Sequence, residues 1–137
     1  LGKCLTKPYT KEITLPDEKK KQTLQLLELT SPGSLKREGR SLKHCVGTNE
    51  EYRRRCMEGD IRIFSVRDAA LPAKPLSTIE IEFFWTDPPS IGLLQHRGFD
   101  NADPSLPLVE FVIGFIRDAN CTACNLIDWR GGRFEWC

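Results

Sequence analysis

Ser77-Thr78-Ile79-Glu80-Ile81-Glu82-Phe83-Phe84-Trp85 is rich in β-branched and aromatic types and alternates polar and apolar residues with a period of two from Thr78 to Phe83. That pattern is a strand half-buried in a sheet. Ile79, Ile81 and Phe83 share one face, and Thr78, Glu80 and Glu82 share the other. On either side lie segments of similar character. Ile61 to Arg67 puts Phe64 and Val66 opposite Ser65 and Arg67, while Ile91 to Arg97 puts Gln95 and Arg97 opposite Leu94, His96 and Gly98. Pro72 and Pro75 punctuate the first connection and Asp87-Pro88-Pro89-Ser90 the second, so the three strands read as an antiparallel meander. In the register that matches polar with polar, Ser65, Arg67, Thr78, Glu80, Gln95 and Arg97 form one patch. The apolar face then meets a helix over Leu108 to Asp118, whose Leu108, Val109, Phe111, Val112, Phe115 and Ile116 demand burial. A sheet covered on one side ordinarily shows solvated Arg–Glu pairs on the other, so the patch also has a purely structural reading.

The segments before the sheet read as supports. Glu12-Ile13-Thr14-Leu15 suits a short edge strand. Residues 17–30 are rich in helix formers, with Leu24 and Leu27 as an apolar stripe to which Leu26 and Leu29 are further candidates, and Ser31-Pro32-Gly33 reads as the stop. Ser34-Leu35-Lys36 recurs as Ser41-Leu42-Lys43 two helical turns later, which gives a helix with Leu35 and Leu42 turned inward. Lys36, Arg37, Arg40 and Lys43 then form either a solvated face or a phosphate-contacting ridge. Thr48 or Asn49 caps a further expected helix with Glu50 and Glu51 in its first turn, Arg53 to Arg55 behind them and Gly59 at its end. His44 and Cys45 fall on the loop leading into that helix, where an anion or thiolate is stabilised. The expected fold class is α+β: a small antiparallel meander of three to four strands packed on one face by helices. It forms a single domain over residues 1–137, with a core at about 35–118, the N-terminal helix at 17–30 and a Cys- and Trp-containing tail at 119–137.

Composition narrows the function classes. Twenty Lys and Arg against 19 Asp and Glu leave a net charge of +1, which argues against binding driven by a basic surface overall, though local patches remain open. No apolar run approaches the ~20 residues of a membrane span and no signal-peptide pattern opens the chain, so the expectation is a cytoplasmic protein without membrane partners. The start at Leu1 fits a fragment, a processed form or one domain of a larger protein. Six cysteines in such a chain are expected reduced. Cys121-Thr122-Ala123-Cys124 has zinc-knuckle spacing but lacks a second pair, so structural zinc through Cys121, Cys124 and Cys137 is a subordinate reading, and no catalytic metal or other cofactor is expected.

Four stretches in order, Gly39-Arg40-Ser41-Leu42-Lys43-His44-Cys45-Val46-Gly47, Ile63-Phe64-Ser65-Val66-Arg67-Asp68, Ser77-Thr78-Ile79-Glu80-Ile81 and Gln95-His96-Arg97-Gly98-Phe99-Asp100-Asn101, resemble the successive motifs of PcfJ-like proteins. The resemblance runs from about Leu35 to Ile116 and departs from the pattern at His96, where a longer basic or polar residue is expected. It implies association with plasmids, phages or other mobile elements, and an accessory role in conjugative DNA transfer, within a bacterial or phage-infected cell.

Two functions fit these residues. The first is a metal-independent enzyme acting on nucleic acid or a nucleotide. Glu80 and His44 exchange the proton, Arg67 and Arg97 hold phosphate, and Gln95 and Asn101 orient a substrate also touched by Cys45, Ser65 and Thr78. The second is a non-enzymatic module of a conjugation-type nucleoprotein complex, binding nucleic acid and other proteins, in which Lys36, Arg37, Arg40, Lys43 and Arg53 to Arg55 contact phosphates.

Overall fold

The computed structural model describes residues 9–15, 20–43, 54, 61–84 and 86–121. Five antiparallel strands lie in chain order: β1 (Tyr9–Leu15), β2 (Lys20–Leu29), β3 (Ile61–Asp68), β4 (Pro75–Phe84) and β5 (Ser90–Arg97). Helix α1 (Pro32–Leu42) precedes β3, and helix α2 (Leu106–Ala119) follows β5. The α+β class and the meander expected for β3, β4 and β5 are both present. The sheet is larger than the expected three to four strands, because residues placed in an N-terminal helix at 17–30 instead supply the whole of β2.

That difference has a clear physical cause. Leu24 and Leu26 are buried on one face beside Phe64 and Val66, while Leu27, the next residue along, is 45% exposed on the other, a period of two rather than 3.6. Pairing with β1 and β3 along the segment outweighs the helix propensity of its Lys, Gln, Leu and Glu residues. Glu12 to Leu15 lies in the edge strand, as its alternation suggested.

Helices cover both faces of the sheet rather than one. On the first face, Phe111, Val112, Phe115 and Ala119 of α2 pack on Leu24, Leu26, Phe64, Val66, Ile79, Ile81, Phe83 and Ile91. Tyr9 joins this core edge-on to Phe115 at 5.1 Å, and its hydroxyl donates to Asp118 at 3.0 Å. The second face carries a smaller core of Leu29, Leu35, Ile61 and Ile63, with Leu35 contributed by α1. Central strand β3 is therefore buried from Ile61 through Val66 without alternation. Among the described residues no helix is long and apolar enough to cross a membrane.

Candidate functional site

Helix α1 starts at Ser31-Pro32-Gly33, the triplet expected to end a helix. Ser31 and Ser34 form a reciprocal capping box, each backbone N–H donating to the other's Oγ at 3.1 Å, and Pro32 occupies the first turn, where its missing N–H costs nothing. At the other end Lys43 adopts the left-handed conformation, with φ 53°, and its N–H donates to the Gly39 carbonyl. Leu35 and Leu42 point inward as expected, and so does Glu38, only 1% exposed on the same stripe.

The register brings together the polar residues of the three strands. Ser65 lies opposite Thr78, Thr78 opposite Arg97, and Glu80 opposite Gln95, so all these and Arg67 share one face. His96 lies opposite Ile79 on the other face. Helix α1 lies against the polar face, and Glu38 enters it. Thr78 Oγ1 donates to Glu38 Oε2 at 2.6 Å, and Arg67 Nη2 donates to Glu38 Oε1 at 3.3 Å. Arg67 also donates from Nε to Ser65 Oγ at 3.0 Å and from Nη1 to the Pro72 carbonyl at 2.7 Å. Burial pushes the Glu38 carboxyl above its ordinary range, against the lowering pull of Thr78, Ser65 and Arg67.

Beside this network opens a cleft of about 420 Å³ lined by Arg37, Glu38, Arg40, Ser41, Arg67, Ala73 and Pro75. Arg37, Arg40 and Ser41 are exposed. Three arginines around one cleft suit a planar or tetrahedral oxyanion, because a guanidinium offers forked donors that match phosphate.

The remaining site candidates are dispersed. Glu80 shares the polar face but is 8% exposed, and Gln95 is half-buried beside it. Arg97 donates to Asp103 at 3.0 Å on the surface, Arg67 pairs with Glu38 from the helix, and an Arg–Glu pair within the sheet joins Arg62 of β3 to Glu28 of β2 at 3.5 Å. Asn101 is exposed on the turn after β5, in the left-handed region with φ 59°. Lys36 and Lys43 are exposed, and the Lys43 ammonium stands 5.4 Å from the Phe99 ring centroid. His44 and Cys45 lie outside the described residues, as does the expected helix from Thr48 to Gly59 apart from Arg54. His96 packs behind the site, its Nε2 2.8 Å from Ser77 Oγ, and burial lowers its pKa to about 4, which leaves the ring neutral near pH 7.

Among the described residues no group of three or more His, Cys, Asp or Glu side chains has the arrangement of a metal site. Cys121 is exposed, while Cys124 and Cys137 lie outside the described residues.

Glu38 is the residue that sequence reasoning missed. Its signal was present: it falls three positions after Leu35 and four before Leu42, so the helix that buries both leucines must bury a carboxylate between them. A carboxyl at such a position requires polar partners on the facing element, and the Ser65, Arg67, Thr78 patch supplies them.

Neither curated proteins nor solved structures give a match. The family model for PcfJ-like proteins matches residues 5–104, which takes in the β1–β2 hairpin that the motif resemblance from about Leu35 had left out and ends before α2. With the sheet, α1 and all four motifs inside that match, the chain belongs to the PcfJ-like protein family.

Proposed function

We propose that the chain is a nucleic-acid-binding domain of a mobile-element nucleoprotein assembly, and that phosphate is held in the cleft formed by Arg37, Arg40 and Arg67. The observation that carries this reading is the convergence of two exposed helix arginines and one anchored sheet arginine on a single open cleft in a chain of net charge +1. Cations spread evenly over a nearly neutral surface attract little, whereas a local cluster releases counterions from each phosphate it engages. Arg67 is fixed by Glu38, Ser65 and Pro72, so the cleft keeps one preformed donor while Arg37 and Arg40 adapt to the strand. Such an assembly would work in the cytoplasm of a bacterial or phage-infected cell, with other proteins of the mobile element, and would require no cofactor.

Binding of a labelled oligonucleotide, followed by fluorescence anisotropy across a salt series, tests the proposal. The logarithm of the affinity should fall linearly with the logarithm of salt concentration. Replacing Arg37 and Arg40 by Ala should flatten that slope by roughly 0.7 to 0.9 for each arginine lost. Both residues are exposed, so the variants keep the fold. Unchanged slopes would remove the cleft from the interface.

The enzymatic reading has one observation in its favour. Glu38, a carboxyl raised by burial and bonded to Arg67, sits beneath the same cleft. Time-dependent shortening of the oligonucleotide that disappears in Glu38→Gln would replace binding by catalysis as the domain's role.

A further inference from the structure

The cationic ridge on α1 leads to an exposed aromatic ring. Arg37, Arg40 and Lys43 recur every third residue, a spacing that keeps neighbours on one side of a helix and advances about 4.5 Å per step. At the end of that row the Lys43 ammonium stands 5.4 Å from the centroid of Phe99. Phe99 is 53% exposed, the most exposed of the described phenylalanines, whereas Phe64, Phe111 and Phe115 are buried. A 3-10 turn over Phe99–Asn101 carries it, closed by the Gly98 N–H on the Ala102 carbonyl at 2.8 Å and the Ala102 N–H on the Phe99 carbonyl at 3.0 Å. Asp100 and Asn101 both take left-handed conformations in this turn, with φ 55° and 59°. A ring held outward by a tightly closed turn loses little freedom when something stacks on it.

We infer that the ligand of this surface is a single-stranded nucleic acid, with phosphates on the α1 arginines and one base stacked on Phe99. The inference rests on the proposed phosphate role of the cleft. Charge decides which part of the strand meets which part of the protein. The turn carries exposed Asp100, whose charge disfavours phosphate beside the ring, whereas the arginine side favours it. An uncharged base suits the ring, and Lys43 stands where the base and phosphate regions meet. Duplex bases already stack on one another, so a protruding phenylalanine gains a base only from a strand whose bases are free, or by unpairing one.

The test uses the full chain and three probes of about twelve nucleotides, a size within the range of single-strand sites: labelled oligothymidylate, oligouridylate, and the oligothymidylate–oligoadenylate duplex. Phe99→Ala should weaken binding to one or both single strands about ten-fold or more, leave duplex affinity unchanged, and leave the salt slope unchanged. Phe99→Tyr should restore single-strand affinity. The two single-stranded arms separate DNA from RNA. Unaltered single-strand affinity in Phe99→Ala, or an equal loss on the duplex, overturns the stacking inference while the phosphate-binding cleft stands. Failure of the unmodified protein to bind any of the three probes overturns both.

Discussion

Glu38 concentrates the energetic risk of the fold in one side chain. Its carboxyl has no exposed surface, while the Arg67 side chain keeps 15%, and together they join α1 to β3 and β4. A buried pair of this kind costs desolvation that its attraction only offsets, so its main effect is to forbid other ways of docking α1. Removing one partner is far worse than never having had either. Glu38→Ala leaves Thr78 and Arg67 facing a void without their acceptor and should cost about 3–5 kcal/mol in denaturant unfolding. Glu38→Gln keeps an acceptor for Thr78 and should cost less. The pH dependence has a definite sign. Because the folded carboxyl titrates above its ordinary 4.5, the folded state retains a proton that the unfolded chain has released between that value and the raised one. The resulting stabilisation is complete below 4.5 and is lost as pH rises through the raised value. Glu38→Gln, which does not titrate, should flatten the stability–pH curve in that window, as measured by urea midpoints at a series of pH values. A wild-type curve that rises with pH there, with the rise lost in the variant, would show the pairing with Arg67 outweighing burial.

Strands and helices differ in how much of them could be read beforehand, and the difference follows from where the stabilising contacts come from. β4 declares itself because Thr78 to Phe83 alternate strictly, and α2 because its apolar residues exceed what a surface helix can carry. The grouping of Ser65, Arg67, Thr78, Glu80, Gln95 and Arg97 on one face followed from alternation plus a polar-to-polar register, and the pairing of β3, β4 and β5 reproduces it. What covers that face was not legible, since it depends on α1 crossing from the end of β2, and β2 had been read as a helix. Lys20 to Leu29 is composed of good helix formers, and its strand state comes from partners in β1 and β3 that local pattern does not reveal. Two leucines separate the alternatives. A helix with a Leu24–Leu27 stripe would make Leu27→Ala costly, whereas the strand buries Leu26 to 2% and leaves Leu27 at 45%. Leu26→Ala should therefore destabilise by about 2–5 kcal/mol and Leu27→Ala by no more than about 1 kcal/mol. The reverse order in chemical denaturation would restore the helix.

Among the described residues, chain-order pairing of the five strands leaves the sheet with two edges of unequal character. β5 is backed by α2 and closed by the turn at Phe99, with Asn120 donating to the Ile91 carbonyl at 3.0 Å and accepting from its N–H at 2.7 Å. These side-chain bonds occupy backbone groups at the outer margin of β5, much as a further strand would. β1 pairs on its inner side with β2, and its solvent side borders a groove of about 430 Å³ shared with Leu106, Pro107, Glu110 and Gly114 of α2. Lys11 and Glu12 are exposed on it, the kind of charge that discourages pairing with a stray strand. Stability should consequently decline from the middle outward, with β3 opening only with the whole domain and β1 opening locally. Hydrogen–deuterium exchange read by mass spectrometry should show peptides spanning Ile61–Asp68 exchanging slowest and those spanning Tyr9–Leu15 fastest, with β5 between them. If β1 instead exchanged as slowly as β3, its outer edge would have to be covered in solution by a further strand or a second chain, and the gradient would belong to a larger sheet than the five strands described.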